Sequence, residues 1–375
     1  MTRLIAYHEN VESVAALLDA LSRRIEVHSF RVVNPVWYLN ARWRRPTGFY
    51  WDSAADAAHR ALAMAPGVRR FPRLSAAMLR RSYQAATRHY GRPDYLLIDS
   101  PYLEPLAAAV DVPLIYLAAD AYRYYGWPRE RTVALESKIL GRAEATFAVS
   151  ELLADDFRAA GTRAVFRSPT AVGKDFVEAT RQTTVPPMDL ASVPGPRVGV
   201  VGKINSTYDW NLIETVAAER PAVSFVFIGP LQEHDSLQRK RIQRVFGRPN
   251  VYALGMRPHA ELPPYLNAMD VLLSPLDMSA HNDRRFPLRL CEYLTTDRPV
   301  ITTAIHEASA FAPHVVVVRD ASEMTTALDA ALGGKLEVNV EGRQAWLQRN
   351  TWEARATNML ASLESIAALD PAPDG

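Results

Sequence analysis

Short apolar runs alternate with helical patterns along most of this chain, and that alternation limits its fold more than any other feature. Leu4 to Tyr7 reads as a first strand, followed by a helix face of Val11, Val14, Leu18 and Leu21. Ile25 to Val33 reads as a second strand. An irregular segment from Asn34 to Trp51 and two arginine-rich helices then interrupt the pattern. It resumes with strands at Tyr95 to Ile98, Leu114 to Leu117, Ala145 to Val149 and Ala164 to Phe166. Strands separated by helix-length segments imply parallel pairing, because a parallel connection must cross the sheet.

A proline-rich stretch from Val172 to Pro196 breaks the alternation, and a second series follows it. Its strands are expected at Arg197 to Val201, Val223 to Ile228, Val251 to Leu254, Val271 to Ser274, Val300 to Thr303 and Val315 to Val318. A chain of 375 residues suits two α/β domains. The expected divisions are a first domain at 1–175, a linker at 176–196 and a second domain at 197–350. A terminal helix at 351–369 would carry Trp352, Ala356, Met359 and Leu363 on one face and pack back toward the first domain. Two doubly wound Rossmann-like domains of this kind place a cleft between the carboxyl ends of their sheets.

Composition narrows the class. A hydrophobic fraction of 48% and a charged fraction of 22% are those of a globular protein. The single cysteine, Cys291, excludes an internal disulfide framework and any multi-cysteine metal site. The opening residues do not read as a signal peptide, and no apolar stretch approaches the roughly 20 residues that span a bilayer. A cytoplasmic location is expected, with peripheral contact at the inner membrane face. The net charge of +2 hides an asymmetry. No acid lies between Glu26 and Asp52, where Arg31, Arg42, Arg44 and Arg45 mix with aromatic residues. None lies between Asp56 and Asp94, which hold eight arginines from Arg60 to Arg92. Solvated helix faces are one reading; a face for anionic lipid or an anionic acceptor is the other. No nucleic-acid-binding module accompanies the charge.

Three segments could carry chemistry. In the stretch from Asp283 to Val300, Pro287 suits a helix start, and the free amides of that turn, with Arg289, would attract a phosphate. Leu288, Cys291 and Leu294 would bury one face. Glu292, on another face, could accept hydrogen bonds from two vicinal hydroxyls; an ordinary surface glutamate is the alternative. The turn from Gly202 to Ile213 offers Lys203, Asn205, Ser206 and helix amides to a pyrophosphate. Trp210 reads as packing. The third segment, Asn250 to Leu266, ends a strand with Gly255, Met256 and Arg257.

The stretch of Pro287, Leu288, Arg289, Glu292, Tyr293, Leu294, Pro299 and Val300 resembles the donor-site helix of bacterial GT-B glycosyltransferases. The nearest subgroups are the teichuronic-acid-type and xanthan-glucuronosyltransferase-like enzymes. The resemblance covers most of the second half and is looser in the first. It implies that Glu292 binds the nucleotide ribose, that Pro287, Leu288 and Arg289 meet the diphosphate, and that Gly255, Met256 and Arg257 line the nucleobase pocket. It also implies a hexosyl- or glycuronosyltransferase acting from a nucleoside diphosphate sugar, UDP- in preference to GDP-, in cell-surface polysaccharide synthesis. The acceptor would be a hydroxyl of a glycan, lipid-linked or small-molecule acceptor. No cofactor or metal is implied, because this fold stabilises the leaving diphosphate with basic groups and helix dipoles.

One departure stands out. Many retaining members carry an acid eight positions before the ribose-binding glutamate, where this chain has Arg284. A basic residue there would suit an acidic donor sugar. Asp283 would supply the acid if the loop were shifted by one residue. An inverting reaction would instead need a base from the first domain. Asp120, in a segment resembling the base-bearing one of xanthan-type enzymes, and His8, directly after the first strand, are the candidates. Asp99 and Tyr122, with Arg42 and Arg44, would bind the acceptor. A sugar-nucleotide epimerase or hydrolase of the same fold, or a catalytically silent sugar-nucleotide-binding protein, are the alternative readings.

Overall fold

The structure is a computed structural model that describes residues 1–9, 13–34, 60–125, 128–182 and 185–369. Arg42, Arg44, the aromatic residues between 37 and 51 and the tail from 370 onward lie outside these. The described residues form two compact units, one of 1–171 with 352–369 and one of 172–351.

The first unit is built on strands β1 (Arg3–His8), β2 (Glu26–Val33), β3 (Arg60–Met64), β4 (Tyr95–Ile98), β5 (Leu114–Ala118), β6 (Ala145–Ala148) and β7 (Val165–Arg167). They pair in parallel in the order β3-β2-β1-β4-β5-β6-β7. The central strands β1, β4, β5 and β6, buried on both faces, carry the near-continuous apolar runs seen in the sequence. The region between 52 and 94 differs from expectation. Arg60–Met64 is an edge strand, paired from Ser29↔Arg60 to Val33↔Met64, and one helix, Pro72–Tyr90, follows it. The alanine-rich segment has helical propensity, but an open sheet edge beside β2 wins it for pairing. Ala356, Met359 and Leu363 of the terminal helix Trp352–Leu369 join Leu17, Leu18 and Leu21 of the helix Ser13–Ser22 in one core.

The second unit holds β8 (Arg197–Val201), β9 (Ser224–Ile228), β10 (Val251–Gly255), β11 (Val271–Ser274), β12 (Val300–Thr303) and β13 (Val316–Val318), all parallel, in the order β10-β9-β8-β11-β12-β13. Trp210, Phe225 and Phe227 lie in its core. The stretch expected as a linker belongs to this unit. It forms a helix, Lys174–Gln182, with Phe176 and Thr180 buried, and a single turn at Met188–Leu190.

Each sheet reverses its strand order once, between β1 and β4 and between β8 and β11. The crevice outside the carboxyl ends at such a reversal is where doubly wound sheets hold ligands. Among the described residues no helix is long and apolar enough to cross a membrane.

Candidate functional site

In the second unit the carboxyl end of β8 runs into Gly202, whose φ is 129°. A Cβ there would stand 2.9 Å from Arg289 Nη2 and 3.4 Å from the Tyr208 hydroxyl. At the end of neighbouring β9, a Cβ on Gly229 would lie 1.9 Å from the Gly202 carbonyl oxygen. Glycine is therefore required at both strand ends, and it leaves a floor of bare backbone.

Arg289 and Glu292 stand on the same short helix, Leu288–Tyr293, which packs Leu290, Cys291 and Tyr293 inward. The Tyr293 hydroxyl fastens it to the sheet, accepting from Val201 N at 2.8 Å and donating to Leu273 O at 3.3 Å. Burial raises the Tyr293 phenol far above its ordinary range, so it stays neutral and able to donate. Arg289 lays its guanidinium over the Tyr208 ring, 4.7 Å from the centroid. Its Nη1 and the Tyr208 hydroxyl are both buried without a hydrogen-bond partner among the described residues. Burial works to neutralise Arg289, but its surroundings, Tyr208 and Glu292 among them, outweigh it and hold its charge. Glu292 is 7% exposed, and its Oε1 lies 2.7 Å from His259 Nε2.

Several expected phosphate contacts are spent elsewhere. Pro287 stands just before the helix rather than in its first turn, and the helix runs only from Leu288 to Tyr293. Leu288 N donates to Phe286 O and Leu290 N to Pro287 O, so that turn does not offer a full set of free amides. In the turn after β8, Ser206 N donates to Glu233 Oε2 at 2.7 Å and Thr207 N to Asn205 Oδ1 at 3.0 Å. Asp209 caps the following helix through Asn211 N and Leu212 N. Side chains thus satisfy the amides that a phosphate would have used. Lys203 is exposed on this turn. Trp210 is core, with Nε1 donating to Asn205 O at 2.8 Å.

Arg257 is likewise engaged. Its Nη2 pairs with Asp189 at 2.5 Å, Nε donates to the Tyr265 hydroxyl at 2.7 Å, and Nη1 donates to Met256 O at 2.8 Å. Gly255 and Met256 are half-buried at the end of β10. Arg284 ends the turn Asn282–Arg284 and reaches Ala280 O at 3.3 Å. Asp283 accepts from His306 N at 3.0 Å, which gives its carboxylate a structural partner. Buried Asn282 ties the turn to Thr207 O and to Asp277. Neither Glu233 nor His259 stood out in the sequence, because each partner lies 27 and 33 positions away.

In the first unit the carboxyl ends of β1, β4 and β5 gather His8, Asp99, Ser100, Asp120 and Tyr122 around a residue that sequence reasoning passed over, Glu9. Glu9 N donates to Asp99 Oδ1 at 2.9 Å, and Ser100 Oγ donates to Glu9 Oε2 at 2.5 Å. Burial pushes the Glu9 carboxyl up, with Ser100 and Arg69 opposing it. His8 and Asp99 are 4% and 0% exposed, deeper than a solvated surface pair would be. Asp120 accepts from Ala121 N at 2.8 Å and from the Tyr125 hydroxyl at 3.0 Å. The Tyr122 phenol is raised by burial first and then by Asp99, Tyr125, Asp120 and Glu9, which places it among these acids. Glu9 directly follows β1, just as Asp99 directly follows β4.

Two parallel sheets with switch-point sites define the GT-B fold, and comparison with known proteins agrees. Residues 195–333, within the second unit, match the family described as Glycosyl transferases group 1. A protein of Bacillus subtilis strain 168 named as a teichuronic acid biosynthesis glycosyltransferase, TuaH, is 27% identical over 46% of this chain and 44% of its own length. The match thus spans less than half of that relative. Sucrose-phosphate synthase from Thermosynechococcus elongatus superposes with a TM-score of 0.73 at 14% identity, over 98% of this chain and 100% of its own. Anabaena HepE, solved with UDP and glucose, gives 0.69 at 13% identity over 97% and 100%.

Proposed function

We propose that this protein is a glycosyltransferase that moves a sugar from a nucleoside diphosphate sugar, a UDP-sugar in preference to a GDP-sugar, to a hydroxyl of a glycan, lipid-linked or small-molecule acceptor. The observation that carries the reading is the pairing on one six-residue helix of a guanidinium with an unsatisfied Nη1 and a buried carboxylate. A guanidinium beside bare glycine backbone suits the leaving diphosphate, and a carboxylate one turn further suits vicinal ribose hydroxyls. As the bond from the anomeric carbon to the diphosphate oxygen breaks, Arg289 stabilises the charge that gathers there. Lys203 adds a second cation from its exposed turn. The UDP held by Anabaena HepE and the glycosyl transferases group 1 domain support the same assignment.

In the first unit, Asp120 or His8 is the base that takes the proton of the acceptor hydroxyl. The acceptor belongs to cell-surface polysaccharide synthesis, and the enzyme works on the cytoplasmic side of the membrane. Support for peripheral contact comes from the helix Pro72–Tyr90, where Arg73, Arg80 and Arg81 are exposed, as is Arg70 in the turn before it. Phe71 and Leu74 are 49% and 55% exposed at the start of that helix. Basic side chains around projecting apolar ones suit an anionic lipid surface.

Calorimetric titration with UDP tests the donor site. Glu292→Ala is expected to abolish measurable binding while the protein remains folded, and unchanged binding by that variant would sink the assignment.

A further inference from the structure

We propose that His259 is a positioning residue for the donor ribose, acting through Glu292; this rests on the donor-site reading given above. Three separate segments meet here. His259 comes from the turn after β10, Glu292 from the helix Leu288–Tyr293 and Phe176 from the helix Lys174–Gln182. His259 Nε2 lies 2.7 Å from Glu292 Oε1, and the imidazole stacks on Phe176 with centroids 4.7 Å apart and planes 26° from parallel. The Phe176 ring is buried, so it provides a fixed platform against which the imidazole cannot swing freely.

The need for such a clamp follows from the chemistry of the site. A carboxylate that is to accept two vicinal hydroxyls must hold one rotamer, since each hydroxyl has a single donor direction. The Glu292 side chain has three rotatable bonds, and the buried end of a short helix does not fix all of them. A donor on Oε1 fixes the carboxylate plane. Oε2 and the second lone pair of Oε1 then remain for the ribose. The His259 side chain is 38% exposed and that of Glu292 10%, so the imidazole is the more exposed member of the pair. His259 thereby supplies pre-organisation, and its effect should appear only where ribose hydroxyls are present to exploit it.

The test compares UDP with 2′,3′-dideoxy-UDP, which lacks both hydroxyls, on the full-length chain. His259→Ala is expected to weaken UDP binding about tenfold, the scale of one hydrogen bond to a charged group, and to leave dideoxy-UDP binding unchanged. His259→Phe keeps the ring stack but has no donor, and should behave like His259→Ala. His259→Gln restores a donor and should recover most of the affinity. In turnover, KM for the sugar nucleotide should rise while kcat stays constant. Equal losses for both nucleotides in His259→Ala and His259→Phe would overturn the proposal and leave the donor site standing, because a turn that merely packs the site affects both. Wild-type protein that binds the two nucleotides equally well would overturn the ribose role of Glu292, and this proposal with it.

Discussion

The Arg289 guanidinium lies over the Tyr208 ring at 4.7 Å, and each residue keeps a buried polar atom that no described protein group satisfies. Buried donors are usually paired, and here the two residues that carry the unpaired atoms stand beside the bare backbone of Gly202. A phosphate oxygen would satisfy both, and Gly202 leaves the room for it.

The pair should therefore respond to truncation to different degrees. Arg289→Ala is expected to weaken UDP binding by roughly 100-fold, since a charge-assisted contact to a diphosphate contributes about 2–3 kcal/mol. Tyr208→Phe removes an unsatisfied hydroxyl without leaving a cavity. It should raise the thermal midpoint slightly in the free protein and weaken UDP by only several-fold. Calorimetry and thermal unfolding, each with and without UDP, measure both. A Tyr208→Phe protein that loses stability equally in the two conditions would remove the hydroxyl from the donor site.

A second expectation concerns Glu9 and pH. Burial raises its carboxyl above the usual range, so the folded state holds a proton that the unfolded chain has already released. The sign follows from linkage: where the unfolded state binds fewer protons, stability falls as pH rises. The loss begins near the ordinary glutamate pKa of about 4.3 and is complete above the raised folded value. Glu9→Gln keeps an acceptor for Ser100 and removes the titration. It should unfold at a higher temperature than wild type at neutral pH and at the same temperature near pH 4. A wild-type minus variant difference that does not vary across that range would show that Glu9 is not held protonated by burial.

How far the sequence reached depends on how local each signal was. Val271–Ser274 and Val300–Thr303 were legible to the residue, because a fully buried parallel strand is a short apolar run. Arg60–Met64 was not, since its pairing with β2 is a tertiary event that overrides alanine propensity. The segment from 176 to 196 looked like a linker by its prolines, yet Asp189 pairs with Arg257, 68 positions onward. That same pair engages Arg257, which was expected to line the nucleobase pocket. Asp209, Asn205 and Glu233 likewise close the amides of the turn after β8, contacts that only the fold brings out. Glu292 was found by resemblance, whereas His259 required coordinates.

The last expectation concerns the helix Pro72–Tyr90. Its arginines are free of any acid between positions 57 and 93, so their fields add rather than cancel. Each basic residue near an anionic surface contributes about 1 kcal/mol at moderate salt. Replacing Arg73, Arg80 and Arg81 together with alanine should thus weaken binding to equimolar phosphatidylglycerol–phosphatidylcholine vesicles by roughly 100-fold. Raising the salt should imitate the substitution, because the surface potential decays within a Debye length. Phe71→Ala and Leu74→Ala act differently. They remove apolar area, and their loss should persist at high salt, where the charge contribution has already been screened. Co-sedimentation across a salt series separates the two contributions. Equal binding to neutral and anionic vesicles, or no effect of the triple arginine substitution, would assign this face to the acceptor instead of the lipid.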